Sequence, residues 1–230
     1  MAEHKRPALP APSGVVFDLD GTLVDTVETR IRAWLQVFAE GGVIADRSEV
    51  AALIGADGRL VARRIAASAG RELTDDEASA IDARSGAIYG AFNTDPRPLP
   101  GVTDLLALLK QRGIPWAIAT SSRPEQVAVS VDALALDDAP MVIDGGAVAN
   151  AKPAPDLLIE AARRLGAPRE ACWCVGDATW DMEAAAAASA VAIGVMTGAA
   201  DEEALRRSGA RIVVASLAEL AAELRRTQAH

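Results

Sequence analysis

Short apolar runs alternate with amphipathic helical stretches along most of this 230-residue chain, and this alternation restricts the fold more than any other feature. Parallel strands need long crossovers that are usually helices, so the pattern predicts an α/β fold: a parallel sheet with helices on both faces. Aromatic residues make up only 3% of the chain, so its core must consist of Ala, Val, Leu and Ile. The predicted strands are 15–17, 116–119, 141–143, 172–175, 191–193 and 211–214, and the predicted helices lie near 102–112, 124–135, 155–166, 179–189, 200–208 and 216–227.

Residues 24–96 have a different character from the rest of the chain. They show helical periodicity without β-branched runs, and glycine-containing turns divide them into about four helices. We therefore predict an all-helical insert that returns to the core through the Pro-rich segment 96–101; the alternative is one larger α/β domain with extra helices. The predicted division is a loose tail over 1–13, a core over 14–23 and 97–230, and the helical insert over 24–96.

Composition excludes several classes of function. The net charge of -9 argues against a nucleic-acid-binding protein, and no apolar run reaches the roughly 18 residues of a membrane span. Cys172 and Cys174 are too few for a disulfide framework or a zinc site, so we expect buried, reduced thiols and a cytoplasmic setting. The histidines, His4 and His230, lie in the terminal tails, so catalysis must rely on carboxylates, hydroxyls, Lys and Arg.

Asp18 and Asp20 come directly after the first predicted strand. Residues i and i+2 of an extended segment point the same way, so both carboxylates face one site. Close carboxylates repel, so either one is protonated or a cation such as Mg²⁺ lies between them. One carboxylate can then attack phosphorus to give an aspartyl-phosphate, while the other acts as acid and base. The alternative is a strand end capped by aspartates at a turn.

Asp177 follows the strand predicted at 172–175, and Asp181 comes one helical turn later. In open α/β sheets ligands bind at the carboxyl ends of the strands, so these residues should lie at the same edge as Asp18. Asp177 is a candidate metal ligand, and Asp181 is a candidate supporting residue beside it. Read alone, the pair is also typical of a helix cap followed by a solvated acid.

Three further polar residues follow predicted strands. Thr120 and Ser121 come before a predicted helix, where hydroxyl and backbone N–H groups hold phosphate. Lys152 lies in the loop after 141–143 and is a candidate for neutralising phosphate and carboxylate charge. Read alone, Thr120 is an ordinary helix-cap residue and Lys152 a surface lysine, so the joint placement carries the hypothesis.

Four short motifs contain these residues in a fixed order. They are Phe17-Asp18-Leu19-Asp20-Gly21-Thr22-Leu23, Ala119-Thr120-Ser121-Ser122, Ala151-Lys152-Pro153-Ala154-Pro155-Asp156 and Val175-Gly176-Asp177-Ala178-Thr179-Trp180-Asp181. In these motifs the chain, over about residues 14–227, resembles the haloacid dehalogenase-like hydrolase superfamily, and within it the phosphoglycolate phosphatase and β-phosphoglucomutase group. The resemblance implies a Rossmann-like core with a helical cap inserted after the first motif.

The resemblance also implies a role for each motif residue. Asp18 would be the nucleophile and Asp20 the acid and base, while Thr120 and Lys152 would hold phosphate. Magnesium would bind Asp18, the main-chain carbonyl of Asp20 and Asp177, with Asp181 in support.

Departures from the family pattern narrow the expected activity. Dehalogenases lack the second aspartate, which is present here as Asp20, and no cap lysine is available for the Schiff base of phosphonate hydrolases. Mutases usually carry a histidine where Arg30 stands, an acidic residue at Gly176 and a Val at Thr22, so phosphatase is favoured over mutase. Ser189 stands where the family commonly ends a helix with Gly, so that helix is expected to end differently.

The sequence thus predicts a Mg²⁺-dependent phosphatase acting on a small phosphorylated metabolite. The alternatives are a phosphosugar mutase and a non-catalytic phosphate sensor. Arg59, in a glycine-flanked cap loop, is the candidate for binding a remote substrate group, although it could equally be a solvated helix residue. We expect a cap that closes on hinges near 24–26 and 97–101, no nucleic-acid or membrane partner, and a monomer or weak dimer.

Overall fold

A six-stranded sheet, in which every neighbouring pair is parallel, forms the centre of the core. The computed structural model describes residues 9–227. The strands are β1 (Gly14–Phe17), β2 (Trp116–Ala119), β3 (Val142–Ile143), β4 (Cys172–Gly176), β5 (Val191–Val195) and β6 (Ile212–Val214). Their order is β3-β2-β1-β4-β5-β6, so the strand order reverses beside β1, where α/β sheets bind ligands. The predicted parallel α/β core is confirmed.

Ten α-helices surround or extend this sheet within the described residues. Four belong to the insert and six to the core, and one 3₁₀ turn (Arg169–Ala171) precedes β4. The helices are α1 (Val27–Glu40), α2 (Arg47–Leu53), α3 (Gly58–Ser68), α4 (Asp75–Phe92), α5 (Val102–Arg112), α6 (Pro124–Asp132), α7 (Asp156–Leu165), α8 (Thr179–Ala187), α9 (Glu202–Arg207) and α10 (Leu217–Arg226).

Alternate strand residues enter different hydrophobic clusters. Val15 and Phe17 pack with the apolar faces of α5 and α10, whereas Val16 packs with those of α7 and α8. This period of two follows from the pleat, and it places helices on both faces of the sheet. Ala184 and Ala185 are fully buried where α8 packs on the sheet, because their small side chains let the helix approach closely.

The end of α8 differs from the expectation drawn from its sequence. Ser189 has a φ of 60°, which is the left-handed conformation that glycine adopts at little cost. The helix therefore terminates as a glycine-ended helix would, despite the Cβ of Ser189.

The four insert helices pack around a core of their own. Ile31, Trp34, Val61, Ile65 and Tyr89 are among its buried residues. The two connections to the sheet domain pair with each other, because Asp25 N–H donates to the Arg97 carbonyl and Leu99 N–H to the Leu23 carbonyl, both at 2.9 Å. The helical cap is thus joined to the core by two adjacent tethers.

The segment before β1 contacts the core as far back as the structure describes it. The Trp173 indole N–H donates to the Pro10 carbonyl at 3.0 Å, and Leu9 packs against the main cluster. The first part of the predicted tail, with His4, and the C-terminal His230 lie outside the described residues. Within residues 9–227 no helix is long and apolar enough to cross a bilayer.

Candidate active site

The strand ends bring most of the predicted site residues together. Asp18 follows β1, Thr120 follows β2, and Asp177 follows β4, while Lys152 lies in the loop between β3 and α7. Because the strands are parallel, these ends meet at one edge of the sheet. All four side chains are nearly inaccessible to solvent, with residue exposures of 5%, 1%, 2% and 1% in that order. Burial of so many polar groups requires that they compensate one another.

Three carboxylates and one ammonium form the centre of the site. Asp18, Asp177 and Asp181 each offer an oxygen within 4.8 Å of the others. The Lys152 ammonium lies 2.5 Å from Asp18 Oδ1 and 2.7 Å from Asp181 Oδ1. Asp181 Oδ2 also accepts the Ala178 N–H at 3.0 Å, so this side chain fixes both the lysine and the start of α8.

This grouping shifts the ionisation of its members. Burial, opposed by Lys152 and reinforced by Asp181, raises the pKa of Asp18 from 3.8 to about 7. Burial and the neighbouring Asp18 charge raise the pKa of Asp177 well above its ordinary value. The Lys152 pKa is raised, because the attraction of Asp18 and Asp181 outweighs burial. One ammonium is too little positive charge for three adjacent carboxylates.

The donor set fits a divalent cation of the magnesium type. Carboxylate oxygens are the ligands that Mg²⁺ prefers, and the cluster has an excess of negative charge. Thr22 Oγ1 donates to Asp177 Oδ1 at 2.8 Å and so holds this carboxylate in position. Asp177 Oδ2 lies so close to Gly198 that a Cβ there would be only 1.8 Å away. Gly198 is therefore needed as glycine, a constraint that the sequence alone did not reveal.

The metal-free protein is expected to lose thermal stability as the pH rises from about 5 to about 8. When folding raises the pKa of an acid, that acid contributes its full stabilisation at a pH below its pKa in the unfolded chain. The contribution is lost as the pH rises to the pKa of the acid in the folded protein. For Asp18 those limits are 3.8 and about 7. Added Mg²⁺ should restore stability increasingly across this range, because protons and metal compete for the same oxygens. Thermal unfolding with EDTA or Mg²⁺ at both pH values measures the difference.

Two variants serve as controls for this pH dependence. Asp177→Asn should flatten both the loss and the Mg²⁺ effect, whereas Asp104→Asn, at an exposed position on α5, should behave as the wild type. A Mg²⁺ effect that is equal at both pH values would contradict the assignment of the cluster as a metal site.

Asp20 has a different environment from the neighbouring Asp18. Its Oδ1 accepts hydrogen bonds from Thr26 at 2.7 Å and Tyr89 at 3.0 Å, and its Oδ2 from Ser122 at 2.9 Å and Arg30 at 2.8 Å. Burial favours the neutral acid, but the Arg30 charge and these hydrogen bonds outweigh it and hold the Asp20 pKa below its usual value. The i, i+2 spacing predicted either a protonated carboxyl group or a cation between Asp18 and Asp20. The Arg30 guanidinium lies on the Asp20 carboxylate, and the metal contact of Asp20 stays a prediction.

Arg30, Tyr89 and Ser122 were not recognised as site residues from the sequence. Arg30 also donates to Gln126 at 2.8 Å and lies 3.4 Å from the centroid of the Tyr89 ring. A usable signal existed, because Arg30 falls on the apolar stripe of α1 between Val27 and Trp34. A charged residue on a buried stripe needs a buried partner.

The loop after β2, which carries the predicted phosphate ligands Thr120 and Ser121, connects the site to the cap. Thr120 Oγ1 accepts the Ser122 N–H at 3.1 Å, which leaves the Thr120 hydroxyl proton free for a ligand. Ser121 Oγ donates to the Gly55 carbonyl of the cap at 2.9 Å. Ser121, predicted as a phosphate ligand, thus serves here as a cap contact.

The cap lies closed over the strand ends. Asp57 N–H donates to the Lys152 carbonyl at 2.9 Å, and the Trp180 indole donates to the Ala52 carbonyl at 3.0 Å. Arg123 of the core pairs with Asp82 of α4 at 2.7 Å. A cavity of about 50 Å³ remains between cap and core, and both Asp18 and Asp20 line it.

Arg59 lies apart from this cavity. Its guanidinium bonds Asp57, the residue that caps its own helix, at 3.1 and 3.3 Å. It lines a second cavity of about 280 Å³ that also contacts Arg123. The predicted approach of Arg59 to Asp18 is therefore not found in this closed arrangement, because a nearby carboxylate holds the side chain. Among the described residues that line the cavity, the cation is Arg30, which pairs with Asp20.

Comparison with known proteins agrees with this geometry. The family model for haloacid dehalogenase-like hydrolases matches residues 12–189. The chain belongs to that family. A crystal structure of a hydrolase from Pseudomonas syringae superposes with a TM-score of 0.89 at 30% identity, covering 94% of this chain and 99% of that one. The cap and core of this chain thus have the architecture of a solved hydrolase.

Two curated relatives represent different activities. A phosphoglycolate phosphatase of Rhodospirillum rubrum is 31% identical over 216 residues, which cover 91% of this chain and 89% of that protein. A β-phosphoglucomutase of Bacillus subtilis is 29% identical over 215 residues, which cover 91% and 92%. The overall identity of this chain to the two relatives is nearly equal, so it does not decide between a phosphatase and a mutase.

Local geometry explains the departures from the mutase pattern. A Cβ at Gly176 would lie 2.2 Å from Asp181 Cγ, so an acidic side chain at 176 is incompatible with Asp181 where it stands. Thr22 supplies the hydrogen bond to Asp177 that a valine would lack. Arg30 places a permanent positive charge on Asp20, which a histidine would not.

Proposed function

We propose that this family member is a Mg²⁺-dependent phosphatase that hydrolyses a small phosphate monoester through an aspartyl-phosphate on Asp18. The observation that carries the proposal is the buried Asp18 carboxylate, held through Oδ1 by Lys152 at 2.5 Å and facing the cavity under the cap. Asp18 Oδ2 accepts no hydrogen bond from the described residues, so it is available to attack phosphorus or to bind the metal.

The residues around Asp18 divide the work of the first half-reaction. The ammonium of Lys152 favours the ionised, nucleophilic form of Asp18 against the effect of burial. Thr120 offers its hydroxyl proton to a phosphate oxygen. Bound Mg²⁺ supplies the positive charge that lets a phosphate approach three carboxylates. As phosphorus bonds to Asp18, the bond to the leaving oxygen breaks, and that oxygen takes a proton from Asp20. Asp20 must first take up this proton from solvent while a cap donor is withdrawn, because the closed arrangement keeps its carboxylate ionised.

Asp20 then removes a proton from the water that hydrolyses the aspartyl-phosphate. Its four lone-pair directions are already occupied in the closed structure by Thr26, Tyr89, Ser122 and Arg30. The leaving oxygen and the water must therefore displace a donor, and Arg30 and Tyr89 both belong to the cap. Small cap movements thus accompany each half-reaction.

The rival activity is a phosphosugar mutase. It would use the same aspartyl-phosphate but return the phosphoryl group to a second hydroxyl of the substrate instead of to water. Arg30, Gly176 and Thr22 favour hydrolysis, since each replaces a residue of the mutase pattern with one that has its own contact here.

A screen of phosphorylated metabolites tests the proposal. With Mg²⁺, release of inorganic phosphate is expected from at least one small monoester, and it should stop in EDTA and return when Mg²⁺ is added. NMR of the same reactions would detect isomer formation, which would favour the mutase instead. Binding of phosphate esters with neither reaction would indicate a sensor, and full activity in EDTA would reject the metal assignment.

A further inference from the structure

The part of the cavity that faces away from Asp18 is formed by the cap. Trp34, Leu53, Ile54 and Val61 give it an apolar wall. The cavity of about 50 Å³ has room for roughly four water-sized groups of ~10–15 Å³ each, and the phosphoryl group at Asp18 has to share that space, so a long leaving group does not fit with the cap closed. Any polar group on that leaving group must find its partner among few side chains.

Charge in this cavity is predominantly negative. Among the described residues that line it, the charged ones are Asp18, Asp20, Arg30 and Asp82. The single cation, Arg30, is committed to Asp20 at 2.8 Å, and also to Ser122 and Gln126. An anionic group on the leaving side would have to take Arg30 away from Asp20, and it would lie in the field of Asp82.

Asp82 has one oxygen free for a ligand. Arg123 bonds its Oδ2 twice, at 2.7 and 3.0 Å, from outside this cavity. Its Oδ1 receives no hydrogen bond from the described residues and lies against Gly58, where a Cβ would be 1.9 Å away. The side chain is only 14% exposed, and Asp82 lies between this cavity and the larger one that Arg59 and Arg123 line. A carboxylate oxygen that lines a cavity and has no donor is a site for a hydroxyl group.

We propose that Asp82 selects a short, uncharged leaving group that carries a hydroxyl, such as that of a polyol phosphate, and rejects one with a carboxylate or a second phosphate. The hydroxyl would donate to Asp82 Oδ1 while the carbon chain packs on Trp34 and Ile54. The inference rests on the proposed function, which places the phosphate of the substrate at Asp18 and its leaving group in this cavity. It predicts a substrate preference different from that named for the phosphoglycolate phosphatase relative.

The test compares two esters of equal length, 2-hydroxyethyl phosphate and phosphoglycolate, which differ only in a CH₂OH or a carboxylate. Wild-type protein with Mg²⁺ is expected to favour the hydroxyethyl ester in kcat/KM by at least about tenfold, because like charges repel strongly in a desolvated site. Asp82→Asn removes the charge at nearly constant shape and should reduce this ratio about tenfold or more. A ratio within one variant is insensitive to losses of expression or folding.

Arg123→Gln is the matched control. It breaks the same cap-to-core ion pair as Asp82→Asn but leaves the Asp82 charge in place. The preference for the hydroxyethyl ester should persist or increase in Arg123→Gln. If both variants reduce the ratio equally, loosening of the cap is responsible, and Asp82 does not select the substrate.

A binding measurement separates this inference from the proposed hydrolysis. Calorimetric titration of the Asp18→Asn variant with each ester in Mg²⁺ gives the ratio of Kd values without turnover. The same preference in binding, with no phosphate released by wild type from either ester or from acetyl phosphate, would uphold the subsite and refute the phosphatase. Tighter binding or faster hydrolysis of phosphoglycolate would overturn the inference and show that Arg30 accepts the carboxylate; binding of neither ester would also overturn it.

Discussion

Asp18→Asn is expected to lower kcat by at least about 10³-fold while the protein remains folded. The amide cannot attack phosphorus, and no other carboxylate is placed to replace it: Asp177 is bound to Thr22, Asp181 to Lys152 and Ala178, and Asp20 to four donors. Asn has nearly the same volume, and Lys152 keeps its contact with Asp181, so the site should hold its shape. Steady-state phosphate release with any ester from the screen measures the effect.

The outcome is interpretable only beside a folded control. Asp25→Asn changes an exposed aspartate in the same segment and should retain wild-type kcat. Acid-quenched wild-type enzyme should carry one phosphoryl group by mass spectrometry, and the Asp18→Asn variant none. Retention of more than about a tenth of the wild-type rate by Asp18→Asn would show that the nucleophile lies elsewhere, since loss of a covalent nucleophile costs several decades.

The core could be predicted from the sequence because its signals are local. Each strand is a short run of apolar residues, and Asp18, Thr120 and Asp177 each come directly after such a run. Parallel pairing then brings Asp18 and Asp177 together although they are 159 positions apart in the chain (177 − 18). That inference needs only the alternation of strands and helices, which is the strongest pattern in the chain.

The closed cap could not be predicted in the same way. Several of its contacts with the core use backbone groups, such as the Gly55 and Ala52 carbonyls and the Asp57 N–H, which any residue type supplies. The Arg123–Asp82 ion pair joins side chains that are 41 positions apart. Arg59 is an example, because its long side chain can reach several carboxylates and the sequence does not show which of them it pairs with. The structure shows it on Asp57, two residues away.

The partners of Asp20 show a second limit of sequence reasoning. Asp20 meets Arg30 and Tyr89 of the cap and Ser122 of the core, separated from it by 10, 69 and 102 positions. Only Arg30 left a trace in the sequence, as a charge on an apolar stripe. Because Arg30 and Tyr89 belong to the cap, the protonation of Asp20 depends on the position of the cap.

Lys152→Met is expected to destabilise the metal-free protein by about 3–5 kcal/mol near pH 8, the range found when one partner of a buried ion pair is removed. For a chain of this size the midpoint of thermal unfolding should fall by ~6–20 °C. The Lys152 side chain is 1% exposed and bonds both Asp18 and Asp181, so methionine would fill the space without compensating their charge. Unfolding in EDTA measures the loss.

Mg²⁺ and protons should each reverse part of this loss, which separates a charge effect from a packing effect. Mg²⁺ supplies positive charge to the same carboxylates, so it should stabilise Lys152→Met more than wild type. Near pH 5 the deficit should shrink, because burial already raises the pKa of Asp18 to about 7 with lysine present and should raise it further without it. Lys110→Met, at an exposed position on α5, should change none of these values. A deficit equal at both pH values and insensitive to Mg²⁺ would mean that Lys152 stabilises the protein by packing alone, and that the carboxylate cluster has no charge imbalance for a metal to correct.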